Sequence, residues 1–189
     1  QCDVTNTFGK AGLDGGQAEY VKVPYADQTL FKKPVTNDHV DDSVYVLMAD
    51  IFVTGYYGIK KIVDYLHMEL ARGVGCQKFE DVTVLQLGCG PVGFCALKVA
   101  AYMGFRNIVV VDNVPSRLEQ ALKFGASKVI NFDDDKLGVE EYIKTLPAGG
   151  FDAVLEVVGT PAALKTSYNS VRRNGFISSL GMAHGPLPF

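Results

Sequence analysis

From Val82 onward, short apolar runs alternate with longer stretches in which apolar residues recur at helical spacing. The runs predict strands at Val82–Leu87, Ile108–Asp112, Lys128–Asn131, Asp152–Val157 and Gly175–Leu180, and the stretches predict helices at Val92–Met103, Ser116–Phe124, Val139–Thr145 and Ala162–Val171. Such alternation is typical of a parallel sheet with right-handed crossovers. The sequence therefore predicts an α/β fold with a doubly wound parallel sheet of order 3-2-1-4-5, one strand short of the full Rossmann set.

The sequence before Val82 has a different pattern. Residues 1–33 are rich in turn-forming residues and contain one alternating stretch, Ala18–Pro24, that predicts a single strand. Between Asp41 and Leu70 the apolar spacing becomes helical. We expect a break around Val53–Gly55, with Thr54 as the residue that begins the second helix.

Three glycines follow the first strand of the alternating region at the spacing G-x-G-x-x-G. Gly88 would permit a tight turn, Gly90 would let the backbone approach a pyrophosphate, and Gly93 would bring helix and strand together. The N-terminus of the helix that follows offers free N–H groups and a positive dipole end to a phosphate. The spacing alone is weak evidence, because methyltransferases also place glycine-rich turns after a first strand.

Asp112 closes the second predicted strand, nineteen residues after Gly93. An acid at this place in a βαβ unit accepts hydrogen bonds from both hydroxyls of an adenosine ribose, and it would repel the 2′-phosphate of NADP. The sequence therefore favours NAD. The alternative interpretation is that Asp112 only ends a strand before the turn Asn113–Ser116.

Composition excludes several classes of partner. The chain has 189 residues, 48% of them hydrophobic, and a net charge of −3, and it has no Lys/Arg cluster that would track nucleic-acid phosphates. No apolar stretch reaches the length of a membrane span, and the first residues lack the pattern of a signal peptide. We expect a cytoplasmic protein that binds neither nucleic acid nor a membrane. The four cysteines form no C-x-x-C pair, and the three histidines show no metal-ligand spacing among themselves.

Beyond the glycines and Asp112, several stretches carry a family resemblance: Cys2-Asp3-Val4-Thr5-Asn6, Gly15–Tyr20, Met48–Tyr56 and Val114–Glu119. With them the chain resembles the zinc-containing medium-chain alcohol dehydrogenase superfamily, and most closely its branch of glutathione-independent formaldehyde dehydrogenases. The resemblance implies that residues 1–38 are the end of a GroES-like β catalytic domain. Residues 39–75 would then be a helical connection, and residues 76–189 a truncated NAD-binding Rossmann domain of a longer protein.

The resemblance implies that Asp50 and Thr54 are catalytic residues. Asp50 stands where better-known alcohol dehydrogenases have a cysteine ligand of the catalytic zinc, and a carboxylate is an acceptable zinc ligand. Thr54, four residues later, would pack behind the nicotinamide ring. From the residues alone, a solvent-facing acid at a helix end is the simpler interpretation of Asp50, and Thr54 is equally well an N-cap. Cys2 matches one cysteine of the family's structural zinc site, but its partners would precede Gln1, so a free thiol is the simpler interpretation.

The resemblance also assigns the contacts to NAD. Arg117 matches a basic residue near the adenosine ribose or the pyrophosphate, Val158 would line the ribose region, and backbone groups around Gly181 and Met182 would hold the carboxamide. The remaining expected cofactor-binding residues belong to the glycine-rich loop and the end of the second strand: Gly88, Gly90, Pro91, Val92, Gly93, Asp112 and Asn113.

The implied reaction is hydride transfer between NAD and a small alcohol or aldehyde hydrate, with zinc as Lewis acid. We expect the intact protein to be a homo-oligomer and these 189 residues alone to be inactive, because the other zinc ligands and the proton relay lie outside them. Two alternatives stay open: a zinc-free NAD(P)H-dependent reductase of the same superfamily, and a non-enzymatic NAD-binding module.

Overall fold

The computed structural model describes residues 7–10, 12–35, 40–74, 78–135 and 137–182. The chain divides into two units, residues 1–41 and residues 42–189. None of the described helices is both long and apolar enough to cross a membrane.

The described part of the first unit contains one short helix, α1 (Ala26–Thr29), and no strand. The predicted strand Ala18–Pro24 is therefore wrong. Its residues are irregular, and side chains such as Tyr20 are almost fully exposed. An alternating pattern forms a strand only when a partner strand satisfies its backbone groups, and the described residues of this unit offer none.

The second unit begins with two consecutive helices, α2 (Asp42–Ala49) and α3 (Ile51–Ala71). The break between them falls at Asp50, whose backbone is non-helical (φ −149°, ψ −65°), and not at Val53–Gly55 as the sequence predicted. Thr54 is consequently a residue of the first turn of α3 and not its N-cap. The helix ends at the C-cap residue Arg72, followed by Gly73 in the left-handed region (φ 75°).

The rest of the unit alternates strands and helices after a short 3-10 turn at Phe79–Asp81. The elements are β1 (Thr83–Leu87), α4 (Pro91–Tyr102), β2 (Asn107–Asp112), α5 (Pro115–Phe124), β3 (Lys128–Asn131), α6 (Gly138–Thr145), β4 (Phe151–Glu156), α7 (Pro161–Ser170) and β5 (Val171–Ser179). All four strand pairs are parallel and the order is β3-β2-β1-β4-β5, which confirms the predicted doubly wound topology.

One boundary in this region was predicted wrongly. Val171 was assigned to the last helix and the last strand to Gly175–Leu180, but β5 starts at Val171 directly after α7. Val171 pairs with Phe151, and a register shift separates that pair from the regular ladder that begins at Ala153 and Phe176. The irregularity contains Asn174 in a left-handed conformation (φ 55°), which breaks the alternation on which the prediction depended.

Both faces of the sheet are covered by helices. One face packs against α3, α4 and α5, with Ile62, Leu97 and Ile108 fully or almost fully buried, and the other packs against α6 and α7. Parallel strands buried on both faces read as continuous apolar runs, which is why the strand positions were predictable.

Two glycines bring α3 unusually close to the end of the sheet at which the strands terminate. A Cβ on Gly55 would lie 2.8 Å from the Ala96 amide nitrogen and 2.9 Å from the Val92 carbonyl oxygen, so α3 crosses the first turns of α4 at backbone contact. A Cβ on Gly58 would lie 2.6 Å from Leu180, just past the end of β5. The first turn of α3 is thus placed beside the carboxyl ends of the strands, where ligands bind in this fold.

Candidate nucleotide-binding site

The loop between β1 and α4 has the geometry of a phosphate-binding turn. Gly88 has φ +94°, a conformation that favours glycine, and Gly90 is the extended N-cap residue of α4 with Pro91 in the first turn. No side chain caps the helix, so its first amide groups keep donor capacity at a positive dipole end.

The last two glycines of the loop have different structural roles. A Cβ on Gly93 would lie 2.5 Å from the Gly88 carbonyl oxygen, so this glycine permits the close packing of α4 on β1. A Cβ on Gly90 would meet nothing within 4 Å, so the space in front of Gly90 is open to a ligand. The close packing at Gly93 agrees with its predicted role, and the contact of Gly90 with a pyrophosphate stays a prediction.

Gln86 holds the loop from inside the protein, and the sequence analysis missed it. Its side chain is buried in β1, and Nε2 donates to the carbonyl oxygens of Gly88 (2.9 Å) and Gly93 (3.1 Å). A glutamine inside an otherwise apolar strand was the available signal, because a buried amide requires hydrogen-bond partners.

Asp112 lies at the end of β2 beside this loop and is 7% exposed. Oδ2 accepts from the Cys89 amide at 2.7 Å, and Oδ1 accepts from the amides of Asn113 (2.8 Å) and Val114 (3.0 Å). The Arg117 guanidinium, about half exposed, lies 3.7 Å from Oδ1. Each carboxylate oxygen can accept more than one hydrogen bond, so Asp112 keeps capacity for a ribose while it fixes the loop.

A cleft of about 650 Å³ opens in front of these residues. The glycine-rich loop and the end of β2 line it with Gly88, Gly90, Asp112, Asn113 and Arg117. The β3–α6 region and α7 also line it, with residues that include Phe132, Asp135, Val139, Glu140, Ile143, Ala163 and Thr166. The cleft is mainly apolar with a few convergent polar groups, and it lies at the carboxyl ends of the strands, where the strand order reverses between β1 and β4. Such a site fits a nucleotide.

Cys89 lies within the loop, but its side chain belongs to the hydrophobic core. Its side chain is fully buried in the core under α4, and burial together with the Asp112 carboxylate raises the pKa of the thiol to about 12. The thiolate is the reactive form of cysteine, so Cys89 contributes to packing and not to chemistry. Burial also raises the pKa of the Cys95 thiol, and the same conclusion applies to it.

A second group of expected contacts follows β4 and β5. Val158 lines the cleft and is about half exposed, and Met182 is largely exposed. Gly159 (φ +80°) and Gly181 pack backbone against backbone: a Cβ on Gly181 would lie 2.0 Å from the Gly159 nitrogen. The structure thus places Val158, Gly181 and Met182 at the same end of the sheet as the glycine-rich loop.

Asp50 and Thr54 are joined by a hydrogen bond from Thr54 Oγ1 to Asp50 Oδ1 at 2.9 Å. Asp50 is exposed, so its carboxylate carries no burial cost. Over the described residues, no three His, Cys, Asp or Glu side chains are clustered in a way that would hold a metal ion. Asp50 therefore stands here without a complete ligand set among the described residues, and Cys2, which the resemblance matches to a separate structural zinc site, lies outside them.

Comparison with known proteins agrees with this geometry. The sequence model of the family described as zinc-binding dehydrogenase matches residues 91–189. The chain is 40% identical over its whole length to the zinc-type alcohol dehydrogenase B of Aspergillus flavus, covering 42% of that protein. It is also 40% identical over its whole length to the medium chain reductase/dehydrogenase ucsI of an Acremonium species, covering 61% of that protein. The chain thus spans about half the length of the curated relatives it matches.

Solved structures show the same similarity. The alcohol dehydrogenase TADH from Thermus sp. ATN1 superposes with a TM-score of 0.72 at 30% identity, over 94% of this chain and 47% of that one. The apo form of zinc-dependent alcohol dehydrogenase 2 from Streptococcus pneumonia gives a TM-score of 0.70 at 32% identity, over 93% of this chain and 46% of that one.

Proposed function

Because the chain belongs to the zinc-binding dehydrogenase family, in which NAD and zinc are typical cofactors, we propose that it forms the NAD-binding part of an alcohol dehydrogenase-like oxidoreductase. The intact enzyme would transfer hydride between NAD and a small alcohol or aldehyde hydrate. The observation that carries the proposal is the open backbone at Gly90, at the N-terminus of α4 and beside the Asp112 carboxylate.

The residues present fit NAD along its length. The α4 N-terminus and Gly90 would receive the pyrophosphate, the Asp112 carboxylate would accept the hydroxyls of the adenosine ribose, and Arg117 would lie near the phosphates. Apolar side chains in the cleft, including Phe132 and Ile143, offer flat contact for the adenine. Val158, Gly181 and Met182 would contact the nicotinamide half.

The same cleft disfavours NADP. A 2′-phosphate on the adenosine ribose would meet the buried Asp112 carboxylate, and Asp135 and Glu140 also line the cleft. Among the described residues that line the cleft, Arg117 is the one cation, and it already lies 3.7 Å from Asp112. The local charge balance therefore favours NAD.

We assign Asp50 as one ligand of the catalytic zinc in the intact protein, with Thr54 beside the nicotinamide. The support is indirect: the first turn of α3 lies against α4 and Leu180, near the expected nicotinamide end, and Asp50 is exposed there. Zinc would act as a Lewis acid on the substrate oxygen. The described residues do not complete a metal site, so the remaining ligands would have to come from other parts of the intact protein.

We further propose that the substrate of the intact enzyme is formaldehyde-like. It is supported by the motifs that resemble the glutathione-independent formaldehyde dehydrogenases, above all the aspartate at position 50.

Zinc-free reduction is the second candidate, and the Thr54–Asp50 hydrogen bond favours it, because that bond gives Asp50 a structural role that needs no metal. Metal analysis of the intact protein separates the two: zinc that is lost in Asp50→Ala supports ligation, and a zinc-free active enzyme supports the reductase.

The NAD-binding proposal is tested by titrating the chain with NADH and NADPH while following nicotinamide fluorescence. We expect NADH to bind at least about tenfold more tightly, a difference of about 1.4 kcal/mol. Equal affinity for the two nucleotides would contradict the role of Asp112, and binding of neither would contradict the proposed function.

A further inference from the structure

Glu156, the last residue of β4, is a fully buried carboxylate that the proposed chemistry does not use. A charge without access to water is strongly unfavourable unless several donors stabilise it. The hydrogen bonds around the Glu156 side chain must therefore offset the cost of its burial.

Three donors surround the side chain. Oε1 accepts from the amides of Val158 (2.7 Å) and Gly159 (2.6 Å), and Oε2 accepts from the Ser179 hydroxyl at 2.8 Å. Charge-assisted hydrogen bonds of this length are among the strongest that a protein makes. Both carboxylate oxygens of Glu156 therefore act as hydrogen-bond acceptors.

These bonds join two separate segments at the carboxyl end of the sheet. Val158 and Gly159 belong to the turn after β4, and Ser179 is the last residue of β5. The main-chain oxygen of Glu156 extends the same connection, because it accepts from the amides of Leu180 (2.7 Å) and Gly181 (3.3 Å).

The two segments are in direct backbone contact, so their relative position depends on small distances. A Cβ on Gly159 would lie 2.5 Å from the Met182 carbonyl oxygen. Gly159 also holds a left-handed backbone (φ +80°), and the bond from its amide to Glu156 Oε1 fixes that turn. A shift of either segment would move Val158 or Met182.

We propose that Glu156 is a positioning residue for the nicotinamide half of NAD, acting through the turn after β4 and the end of β5. This inference depends on the proposed function, which assigns Val158, Gly181 and Met182 to that half of the cofactor. The proposed function assigns the adenosine half to Gly90 and Asp112 at the ends of β1 and β2, and neither residue is among the three that donate to the Glu156 side chain.

The test compares two ligands that share the adenosine half, NADH and ADP-ribose, on the same chain. Glu156→Leu removes both acceptors at similar volume. Glu156→Gln is the matched control, since its amide oxygen can accept from Val158 and Gly159 while its NH₂ group donates to Ser179 Oγ. Ser179→Ala removes one of the three bonds and is the milder variant.

We expect Glu156→Leu to raise the ratio of the NADH to the ADP-ribose dissociation constant at least about tenfold, with ADP-ribose affinity nearly unchanged. Ser179→Ala should raise the ratio by about threefold, and Glu156→Gln should restore it to near the wild-type value. ADP-ribose binding also reports that each variant is folded.

Equal loss of both ligands in a folded Glu156→Leu, or an unchanged ratio, would overturn the proposal. If Glu156→Leu does not fold, an unchanged ratio in Ser179→Ala overturns it instead. A wild-type chain that binds ADP-ribose as tightly as NADH would also overturn it, because the nicotinamide half would then contribute nothing. A wild-type chain that binds neither ligand would refute the proposed NAD binding itself, and this inference would fail with it.

Discussion

The Asp112 carboxylate accepts a 2.7 Å hydrogen bond from the Cys89 amide, which ties the end of β2 to the glycine-rich loop after β1. The other carboxylate oxygen accepts from Asn113 and Val114. The residue expected to select NAD is therefore also part of the structure that shapes the phosphate-binding turn. A change of cofactor preference at this position has a structural cost.

Substitution of Asp112 should separate those two roles. Asp112→Ala leaves three backbone amides without their acceptor and should lower the free energy of unfolding by about 2 kcal/mol. Asp112→Asn keeps the volume and one acceptor oxygen, so its loss of stability should be about 1 kcal/mol, while the NADH preference over NADPH falls several-fold, roughly 1 kcal/mol. Urea unfolding and nucleotide titration measure the two effects.

Glu119→Gln is the control for Asp112→Asn, because it removes one negative charge from an exposed position on α5. We expect it to leave both stability and cofactor preference unchanged. A preference that changes equally in both variants would show that net charge, and not the Asp112 carboxylate, sets selectivity.

Two single-methyl substitutions distinguish loop packing from ligand access. Gly93→Ala places a Cβ 2.5 Å from the Gly88 carbonyl oxygen, and this overpacking should cost about 1–3 kcal/mol of stability. Gly90→Ala meets open space at an ordinary φ of −74°, so we expect a stability change below about 0.5 kcal/mol. The methyl group should nevertheless block the pyrophosphate and weaken NADH binding about tenfold or more. Gly90→Ala protein with unchanged NADH affinity would place the phosphates elsewhere.

The buried thiol of Cys89 gives a prediction about reactivity. Because burial and the Asp112 carboxylate raise its pKa to about 12, Cys89 stays protonated through neutral and mildly alkaline pH in the folded chain. Iodoacetamide should modify Cys89 at least about a hundredfold more slowly in the native chain than in urea, as peptide-resolved mass spectrometry would measure. Rapid native labelling would mean that the loop opens often and that the Asp112–Cys89 connection is weak.

The sequence predicted the sheet well because its signals are local. The apolar run from Val84 to Leu87, the glycines after it and Asp112 each follow from their own neighbourhood in the chain. The Ala18–Pro24 strand failed because pairing is not local, and the helix break was misplaced because a Thr-Gly pair resembles a helix start more than an aspartate in an apolar run does.

The hydrogen-bond network of the candidate site was beyond sequence reasoning. Gln86 and Glu156 lie 70 residues apart in the sequence, yet each serves a loop at the same edge of the sheet. A polar residue inside an apolar strand indicates that a partner exists but does not identify it. Only the parallel register of β1 and β4 places these side chains at the ends of adjacent strands.

The opposite end of the sheet carries a network that makes stability depend on pH. Asp152 Oδ2 accepts from the Thr83 amide and hydroxyl, both at 2.8 Å, and Oδ1 accepts from Arg172 Nε at 2.7 Å, so β1, β4 and β5 are joined there. Burial by itself would raise the pKa of Asp152, but the bonds from Thr83 and Arg172 outweigh it and hold the pKa below its usual value of 3.8.

A lowered pKa in the folded state means that the network stabilises the fold fully above the unfolded-state pKa of 3.8 and loses its contribution as pH falls through the lower folded-state value. Asp152→Asn should therefore be less stable than wild type by about 2 kcal/mol near neutral pH. The difference should stay constant down to about pH 5 and shrink below about pH 4, as urea unfolding across this range would measure. Asp64→Asn, which breaks an exposed pair with Lys60, is the control and should leave stability nearly unchanged. If the difference in the free energy of unfolding between wild type and Asp152→Asn does not depend on pH, then Asp152 stabilises the sheet without its charge.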